Sequence, residues 1–456
     1  MYTLGIDLGS SYLKAAVFCL EDCKVVFSET IPAFHRRQNP YPELFEISAE
    51  EIFRTVKDMI DNLAGRYPIK RIILSTQMHG FVYHTSGYED VYVSWQDARS
   101  ILPLFSGNRN AIDRLGELLS DQDLRELGVP LKPSLGICNL YALIYGMRKV
   151  PADGELFTLG SYIIWRLTGN NICHITNAAP LGIVDIQNRC FHSEVLKKTG
   201  LEHIKLPKLA QSDYEICGVY THKNGDIPVL PDYGDQQVSI LGSMAKKGDI
   251  IFNMATAGQV CYLTDRFVPG SYEIRPYFSQ EFLYTVSDMP SGRNLDVLIN
   301  FIRNSVEVIT GKNVSEADIW KKIDESFNYE KTDLQVDPLF YPTRTQFCGG
   351  SISGIKPRNF SLMSLISATY DSMADIYARY VPVLIGENTH AELVFSGGVS
   401  WKNDALVSIM ADKTGLPYRK SAVANEVFGG MFRLSLVSCG QIKNLSDKPE
   451  LVIRSV

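Results

Sequence analysis

Two segments far apart in the chain repeat one strand, turn, strand plan, and no other feature restricts the fold as strongly. Near the amino terminus Leu4 and Ile6 lead into Asp7-Leu8-Gly9-Ser10-Ser11, and a second apolar run, Leu13 to Phe18, follows. In the second half Ile250-Ile251-Phe252-Asn253-Met254 leads through Ala255-Thr256-Ala257-Gly258 into Val260-Cys261-Tyr262-Leu263. Short apolar runs broken by small and polar turn residues read as hairpins. After the first, Ser48-Ala49-Glu50-Glu51 reads as a capping box. Ile52, Val56, Met59, Ile60 and Leu63 then recur at helical spacing up to Gly65, and Arg71-Ile72-Ile73-Leu74 forms the next strand. After the second, Leu393-Val394-Phe395 runs into Ser396-Gly397-Gly398. A helix beginning near Asn403 or Asp404 places Leu406, Ile409 and Met410 on one face. Strands alternating with amphipathic helices predict layered α/β domains.

At roughly 150 residues per domain, a chain of 456 residues holds about three small units or two large ones. The repeated plan favours two, divided near residue 243: 1–243 and 244–456. This duplication rests on pattern rather than on identity between the halves.

Composition narrows the function classes. Hydrophobic residues at 45% and charged residues at 21% are globular values. Lys plus Arg number 45 against 51 Asp plus Glu, a net charge of -6 without a basic block, which argues against a nucleic-acid binder held by phosphate neutralisation. No apolar run approaches the roughly 18 residues that cross a bilayer, and the amino terminus does not read as a secretory signal. The expectation is a cytoplasmic protein with no membrane partner. Nine cysteines without a C-x-x-C pair predict reduced side chains rather than a zinc site or disulfide framework.

Neither a G-x-x-x-x-G-K-[ST] nor a G-x-G-x-x-G fingerprint is present. A Gly/Ser turn can hold phosphate instead, because small residues let backbone amides converge on its oxygens. Gly9, Ser10 and Ser11 fit this, with Asp7 placed to hold magnesium through water and Lys14 to offset charge. Thr256-Ala257-Gly258 is the corresponding turn of the second half. Either turn alone could be an ordinary tight turn, whereas an enzyme that closes two lobes on a triphosphate needs one in each.

In Pro231-Asp232-Tyr233-Gly234-Asp235-Gln236-Gln237 a carboxylate stands between a strand-like run and the helix-like run Val238 to Met244. Asp235 is thus a candidate base toward a bound hydroxyl, with helix N-cap as the plain alternative and Asp232 as the rival carboxylate. Gln77-Met78-His79-Gly80 and Trp95-Gln96-Asp97-Ala98-Arg99 each follow a strand, where ligands bind in α/β sheets. Their amide, imidazole, carboxylate and guanidinium groups suit a polyol, and Trp95 suits its carbon-hydrogen face. Singly, His79 is more often a satisfied core histidine than a ligand, and Asp97 with Arg99 is usually a surface pair.

With these residues in place the chain resembles the FGGY carbohydrate kinases over nearly its whole length. Asp7 to Ser11 with Lys14 resembles that family's first phosphate hairpin, and Gln77 to Gly80 the substrate loop of its ketose kinases. Trp95, Asp97 and Arg99 are similar to its next substrate cluster, and Gly234-Asp235 to the segment of the catalytic aspartate. Thr256-Ala257-Gly258 resembles the second phosphate turn, Gly397-Gly398-Val399-Ser400 with Asn403 the adenosine loop, and Ala424 through Gly430 the closing helix. Gly350-Ser351-Ile352-Ser353-Gly354-Ile355 followed by Leu365, Ala368, Thr369, Tyr370 and Asp371 matches the carboxyl-half signature. The amino-half signature with its Lys is not recognisable around Cys138 to Tyr145, and Ala255-Thr256-Ala257 departs from the usual Gly-Thr-Ser.

The resemblance implies a two-lobed, actin-like ATPase of duplicated ribonuclease-H-like domains with an interlobe cleft. It implies a sugar kinase that uses ATP and Mg2+ to phosphorylate the terminal primary hydroxyl of a small-molecule ketose. Catalysis would fall to Asp235. Substrate binding would fall to Gln77, Met78, His79, Gly80, Trp95, Asp97 and Arg99, and ATP binding to Gly9, Ser10, Ser11, Lys14, Thr256, Gly258, Gly397, Gly398 and Asn403. Asp7 would hold the metal. Gly234-Asp235-Gln236-Gln237, Trp95-Gln96-Asp97 and Thr176-Asn177-Ala178-Ala179 are similar to sedoheptulokinases in particular, implying sedoheptulose 7-phosphate as product. Xylulose or ribulose kinases, a non-catalytic sugar and nucleotide-binding pseudokinase, and a filament or chaperone-like ATPase are the alternatives. A monomer or homodimer is expected.

Overall fold

A computed structural model describes residues 1–341, 349–386 and 390–447. They form two compact units. The first comprises Met1–Gly242, Asp265–Phe282 and the described chain from Asn425 onward; the second comprises Ser243–Thr264 and the described part of Leu283–Ala424. The chain therefore passes between units several times, where the sequence reading drew a single passage near residue 243.

In the first unit β1 (Tyr2–Leu8), β2 (Tyr12–Cys19), β3 (Lys24–Pro32), α1 (Ala49–Arg66), β4 (Ile69–Thr76), α2 (Leu159–Thr168), β5 (Gly218–His222), β6 (Gly225–Gly234) and α3 (Asp235–Gly242) build the scaffold. Its sheet runs β5-β6-β4-β1-β2-β3, with β1 parallel to β4 and β4 parallel to β6. Leu4 and Ile6 of β1, Ile72 and Leu74 of β4, and Val56, Ile60 and Leu63 of α1 share one core. Each such side chain contributes about 1.5–3 kcal/mol by leaving water. Ser48 caps α1 by accepting from the Glu51 amide. The helix passes Gly65 and ends after Arg66, one residue beyond the expected stop, because this glycine keeps helical geometry with open space beside it. A smaller sheet orders the strands Glu46–Ser48, Val91–Val93, Phe81–His84 and Glu155–Phe157 side by side.

In the second unit β7 (Ile250–Met254), β8 (Gly258–Thr264), β9 (Phe282–Met289), α4 (Gly292–Thr310), α5 (Leu362–Ile385), β10 (Leu393–Ser396), α6 (Asp404–Thr414) and β11 (Tyr418–Lys420) recur in the order β9-β8-β7-β10-β11. Again the hairpin is antiparallel and its first strand pairs in parallel with a later one, β10, which pairs in parallel with β11. The two hairpins thus enter their sheets in the same way.

The chain closes with α7 (Glu426–Ser438), which lies against α3 inside the first unit. Gly242 and Gly430 permit this approach: a β-carbon at Gly242 would stand 1.7 Å from the Glu426 carbonyl oxygen, and one at Gly430 2.0 Å from that of Val238. Of the described cysteines, Cys19, Cys138, Cys173, Cys217 and Cys261 are buried, and all eight described are free thiols. No described helix is long and apolar enough to cross a membrane.

Candidate active site

Three parallel strands end in register in the first unit. Leu8 of β1 pairs with Thr76 of β4, which pairs with Gly234 of β6. The residues leaving those ends are the Gly9 turn, the Gln77–Gly80 loop and Asp235, so one sheet edge gathers them. Direct contacts tighten the arrangement. The Gln77 amide donates to the Leu8 carbonyl at 3.1 Å, and a β-carbon at Gly234 would lie 2.9 Å from the Met78 sulfur.

The β1–β2 turn is built for close backbone approach. The Gly9 amide donates to the Tyr12 carbonyl, and a β-carbon at Gly9 would come within 2.9 Å of that oxygen. Ser10 and Ser11 are exposed. Asp7, one residue before the end of β1, is buried and accepts from the Ser75 hydroxyl at 3.0 Å, with the Lys14 ammonium 4.0 Å from its other oxygen. Burial pushes its pKa up, while Lys14 and Ser75 pull it down.

Asp235 is the first residue of α3, half-buried, and its Oδ1 accepts from the Gln236 amide at 2.8 Å. Burial first, and the Asp7 carboxylate second, push its pKa up to about 7, against the pull of the Gln236 amide and the Arg275 guanidinium. A carboxylate in this range is suited to accept a proton near neutral pH. Asp232, the rival, is fully buried and bonded to the Thr158 hydroxyl (2.6 Å), the His174 amide (2.8 Å) and the Asn177 side chain (3.1 Å). It is a strut between elements. Asn177 also donates to Thr76 at 2.7 Å, and Thr176 accepts from the Gly234 amide at 3.0 Å, which fixes both strand ends.

The two polar clusters meet through the small sheet, where Phe81 pairs with Val93, placing Gly80 next to Ser94. His79 holds a left-handed backbone (φ 68), a conformation uncommon for a side-chain-bearing residue and concentrated at functional sites. Gly80 leaves room for the buried Tyr92, whose hydroxyl would be 2.2 Å from an added β-carbon. That hydroxyl has no hydrogen-bond partner among the described residues, and its pKa is raised by burial and by Asp235. Trp95 is exposed. Asp97 and Arg99, read above as a possible surface pair, are instead both fully buried. The Arg99 Nε and Nη2 groups donate to the two Asp97 oxygens at 2.8 Å each, Nη2 also reaches Glu46 at 2.6 Å, and Asp97 accepts from the Phe45 amide. The pair shapes the loop that presents Trp95 and Gln96.

A second constellation lies within the second unit. The exposed turn Ala255–Ala257 follows β7, and Asn253 pairs with Ser396 at the end of β10. Gly397 adopts φ 86, and a β-carbon there would meet the Met254 carbonyl oxygen at 2.5 Å, so only glycine lets the two segments touch. Gly258 likewise leaves space for the Tyr377 hydroxyl, and a β-carbon at Gly398 would meet nothing. Ser291 and the first amides of α4, Gly292 and Arg293, bond to the carbonyls of Ala255 and Thr256, fixing the turn. Asn403 accepts from the Tyr370 hydroxyl at 2.9 Å and donates to the Val399 carbonyl at 3.0 Å. Its side chain therefore braces the short helix Gly398–Lys402, and the Tyr370 of the carboxyl-half signature supports it.

Sequence reasoning passed over Ser75, Tyr92, Asn177 as a strut, and Arg275. None has a local signal: each acquires its role from a residue distant in the chain.

Comparison with known proteins agrees with this geometry. The N-terminal domain of the FGGY family of carbohydrate kinases matches residues 2–242. A glycerol kinase of Thermococcus kodakarensis is 23% identical, covering 90% of this chain and 83% of its own. The sedoheptulokinase of Homo sapiens is 22% identical over 74% of this chain and 76% of its own. These values do not single out one subgroup, so the nearer likeness to sedoheptulokinases is not established. The crystal structure of a ligand-bound xylulose kinase from Lactobacillus acidophilus superimposes with a TM-score of 0.82 at 20% identity, covering 98% of this chain and 91% of that one, which shows the same actin-like two-domain fold. The chain belongs to the FGGY family of carbohydrate kinases, phosphotransferases that act on a sugar hydroxyl.

Proposed function

We propose that this kinase uses ATP to phosphorylate the terminal primary hydroxyl of a ketose, sedoheptulose being the first candidate and xylulose or ribulose the next. The observation that carries the reading is the shared register of Leu8, Thr76 and Gly234, which gathers the phosphate turn, the polar sugar loop and Asp235 at one sheet edge. Asp235 accepts the proton of the sugar hydroxyl as that oxygen bonds to the terminal phosphorus, and ADP departs with the electrons of the broken phosphorus–oxygen bond. Phosphoryl transfer is loose, so alignment and charge neutralisation contribute more than base strength.

Magnesium fits Asp7: a buried carboxylate whose ionised form burial disfavours gains from a cation, and magnesium needs only one or two carboxylates when phosphates supply the rest. Bound there, it would neutralise phosphate charge. Lys14 offsets the remaining charge, and Gly9 with Ser10 and Ser11 presents the backbone to the phosphates. Thr256, Gly258, Gly397 and Gly398 are the nucleotide candidates of the second unit, with Asn403 bracing the short helix Gly398–Lys402. Gln77, His79, Gln96 and Trp95 orient the sugar.

A panel of free ketoses and polyols in an ADP-release assay tests the reading. One ketose should stimulate ADP release far above the others, with a phosphorylated product. Binding of sugar and nucleotide without product would identify a pseudokinase, and sugar-independent ATP hydrolysis a different ATPase. Asp235→Asn should lower kcat by about 1,000-fold while both ligands still bind; near-normal turnover would remove Asp235 from the mechanism.

A further inference from the structure

A ladder of alternating charges runs to the first turn of α3, on residues with no part in the reading above. Lys132 donates to Glu273 Oε1 at 2.8 Å, and Glu273 Oε2 accepts from Arg275 Nε at 3.2 Å and Nη2 at 2.6 Å. Arg275 Nη1 then donates to the side-chain oxygen of Gln236. Glu273, Arg275 and Gln236 are all buried. The strand that carries the ladder, Glu273–Pro276, is anchored at both ends. The Ile274 amide donates to the Gly128 carbonyl at 2.8 Å, and Gly128 (φ 69) has no side chain because a β-carbon would lie 2.4 Å from the Ile274 oxygen. At the other end the Gln237 side chain donates to the Pro276 carbonyl at 3.3 Å. Gln236 and Gln237, the two residues after Asp235, are thus both tied to one short strand.

We propose that Arg275 is a positioning residue for the transfer step, fixing the Gln236 amide with its oxygen turned toward the guanidinium and holding the first turn of α3, and hence Asp235, in place, with Glu273 and Lys132 as its support. A side-chain amide can rotate to offer either end. The guanidinium removes that choice and fixes the oxygen as the end that faces it. This deepens the kinase reading, because it assumes that Asp235 and its neighbours meet the sugar. Small displacements of a positioned group can cost about 100-fold in rate.

The test pairs Arg275→Met with Gln236→Ala. In the active kinase Arg275→Met should lower kcat/KM for the sugar by about 100-fold with KM for ATP within about twofold of wild type. If Arg275 acts through Gln236, the double variant should be no more than about threefold worse than Gln236→Ala alone. Multiplying effects, or an unimpaired Arg275→Met, would overturn the proposal. Should loss of the cation prevent folding, Arg275→Met with Glu273→Gln removes the stranded charge and carries the same expectations. Backbone hydrogen exchange decides the matter independently of turnover: residues 235–242 should exchange at least about tenfold faster in Arg275→Met, and unchanged exchange would overturn the proposal. Absence of sugar-dependent ADP release by the wild-type chain would defeat the kinase reading and leave this exchange result standing.

Discussion

The two hairpins occupy equivalent places in equivalent sheets, yet only one carries charge. In the first unit Asp7 stands opposite Lys14 across the hairpin and beside Ser75 of the parallel strand, whose hydroxyl it accepts at 3.0 Å. In the second unit Asn253 stands opposite Gln259 and beside Ser396, whose hydroxyl lies 3.4 Å from the Asn253 oxygen. The serine is kept in both, the carboxylate and ammonium in one. A duplicated scaffold has thus specialised. The first copy bears ionisable groups beside Asp235, and the second offers neutral hydrogen-bonding groups and close backbone approach, which suits holding a nucleotide without adding to its negative charge.

Between the two hairpins, the greatest loss follows from making the first copy like the second. Asp7→Asn should lower kcat by about 100- to 1,000-fold. It should not lower the melting temperature, because burial disfavours the charge being removed. A large loss of stability without loss of turnover would mean that the charged copy is a folding device.

The charged copy should also respond to pH. Asp235 and Asp232 both have their pKa pushed up to about 7, chiefly by burial. Their protonated forms are favoured in the fold, so this stabilising contribution is complete below the unfolded carboxyl pKa of about 3.9 and is lost as pH rises through about 7. Activity runs the other way, since the base must be ionised, and kcat/KM should rise about tenfold between roughly pH 6 and 8. A melting temperature that climbs over that interval would contradict the assignment.

The converse change gives the second copy a charge. Asn253→Asp should raise KM for ATP by about tenfold through like-charge repulsion, with KM for sugar unchanged. The smallest effect separates the serines. Ser75→Ala, which removes the neutral donor to a buried carboxylate, should cost about 1–2 kcal/mol, and Ser396→Ala, at the longer contact to an amide, about 0.5 kcal/mol in chemical denaturation. Equal losses would mean that the charge on Asp7 gives its contact no extra strength.

Much of the candidate site was legible because it lies on short contiguous motifs. Gly9 to Ser11, Gln77 to Gly80 and Gly234-Asp235 each follow an apolar run, and strand ends are where the chain must turn and can present polar groups. Asp97 and Arg99 misled as a possible surface pair, because two residues of spacing says nothing about the Glu46 and Phe45 partners that bury them. Asp235 was the candidate base in sequence and Asp232 its rival. Thr158, His174 and Asn177 occupy the rival's carboxylate and leave Asp235 untouched.

By itself the sequence determined the elements, since hydrophobic periodicity and turn chemistry act over a few residues, and it revealed one plan used twice. Tertiary structure alone decided which carboxylate is a strut and which is half-buried beside Asp7. It also returned Asp265–Phe282 to the first unit, bringing Arg275 to Gln236. A pKa, a buried ion pair or a braced amide depends on partners supplied by distant chain, and no local pattern encodes that distance.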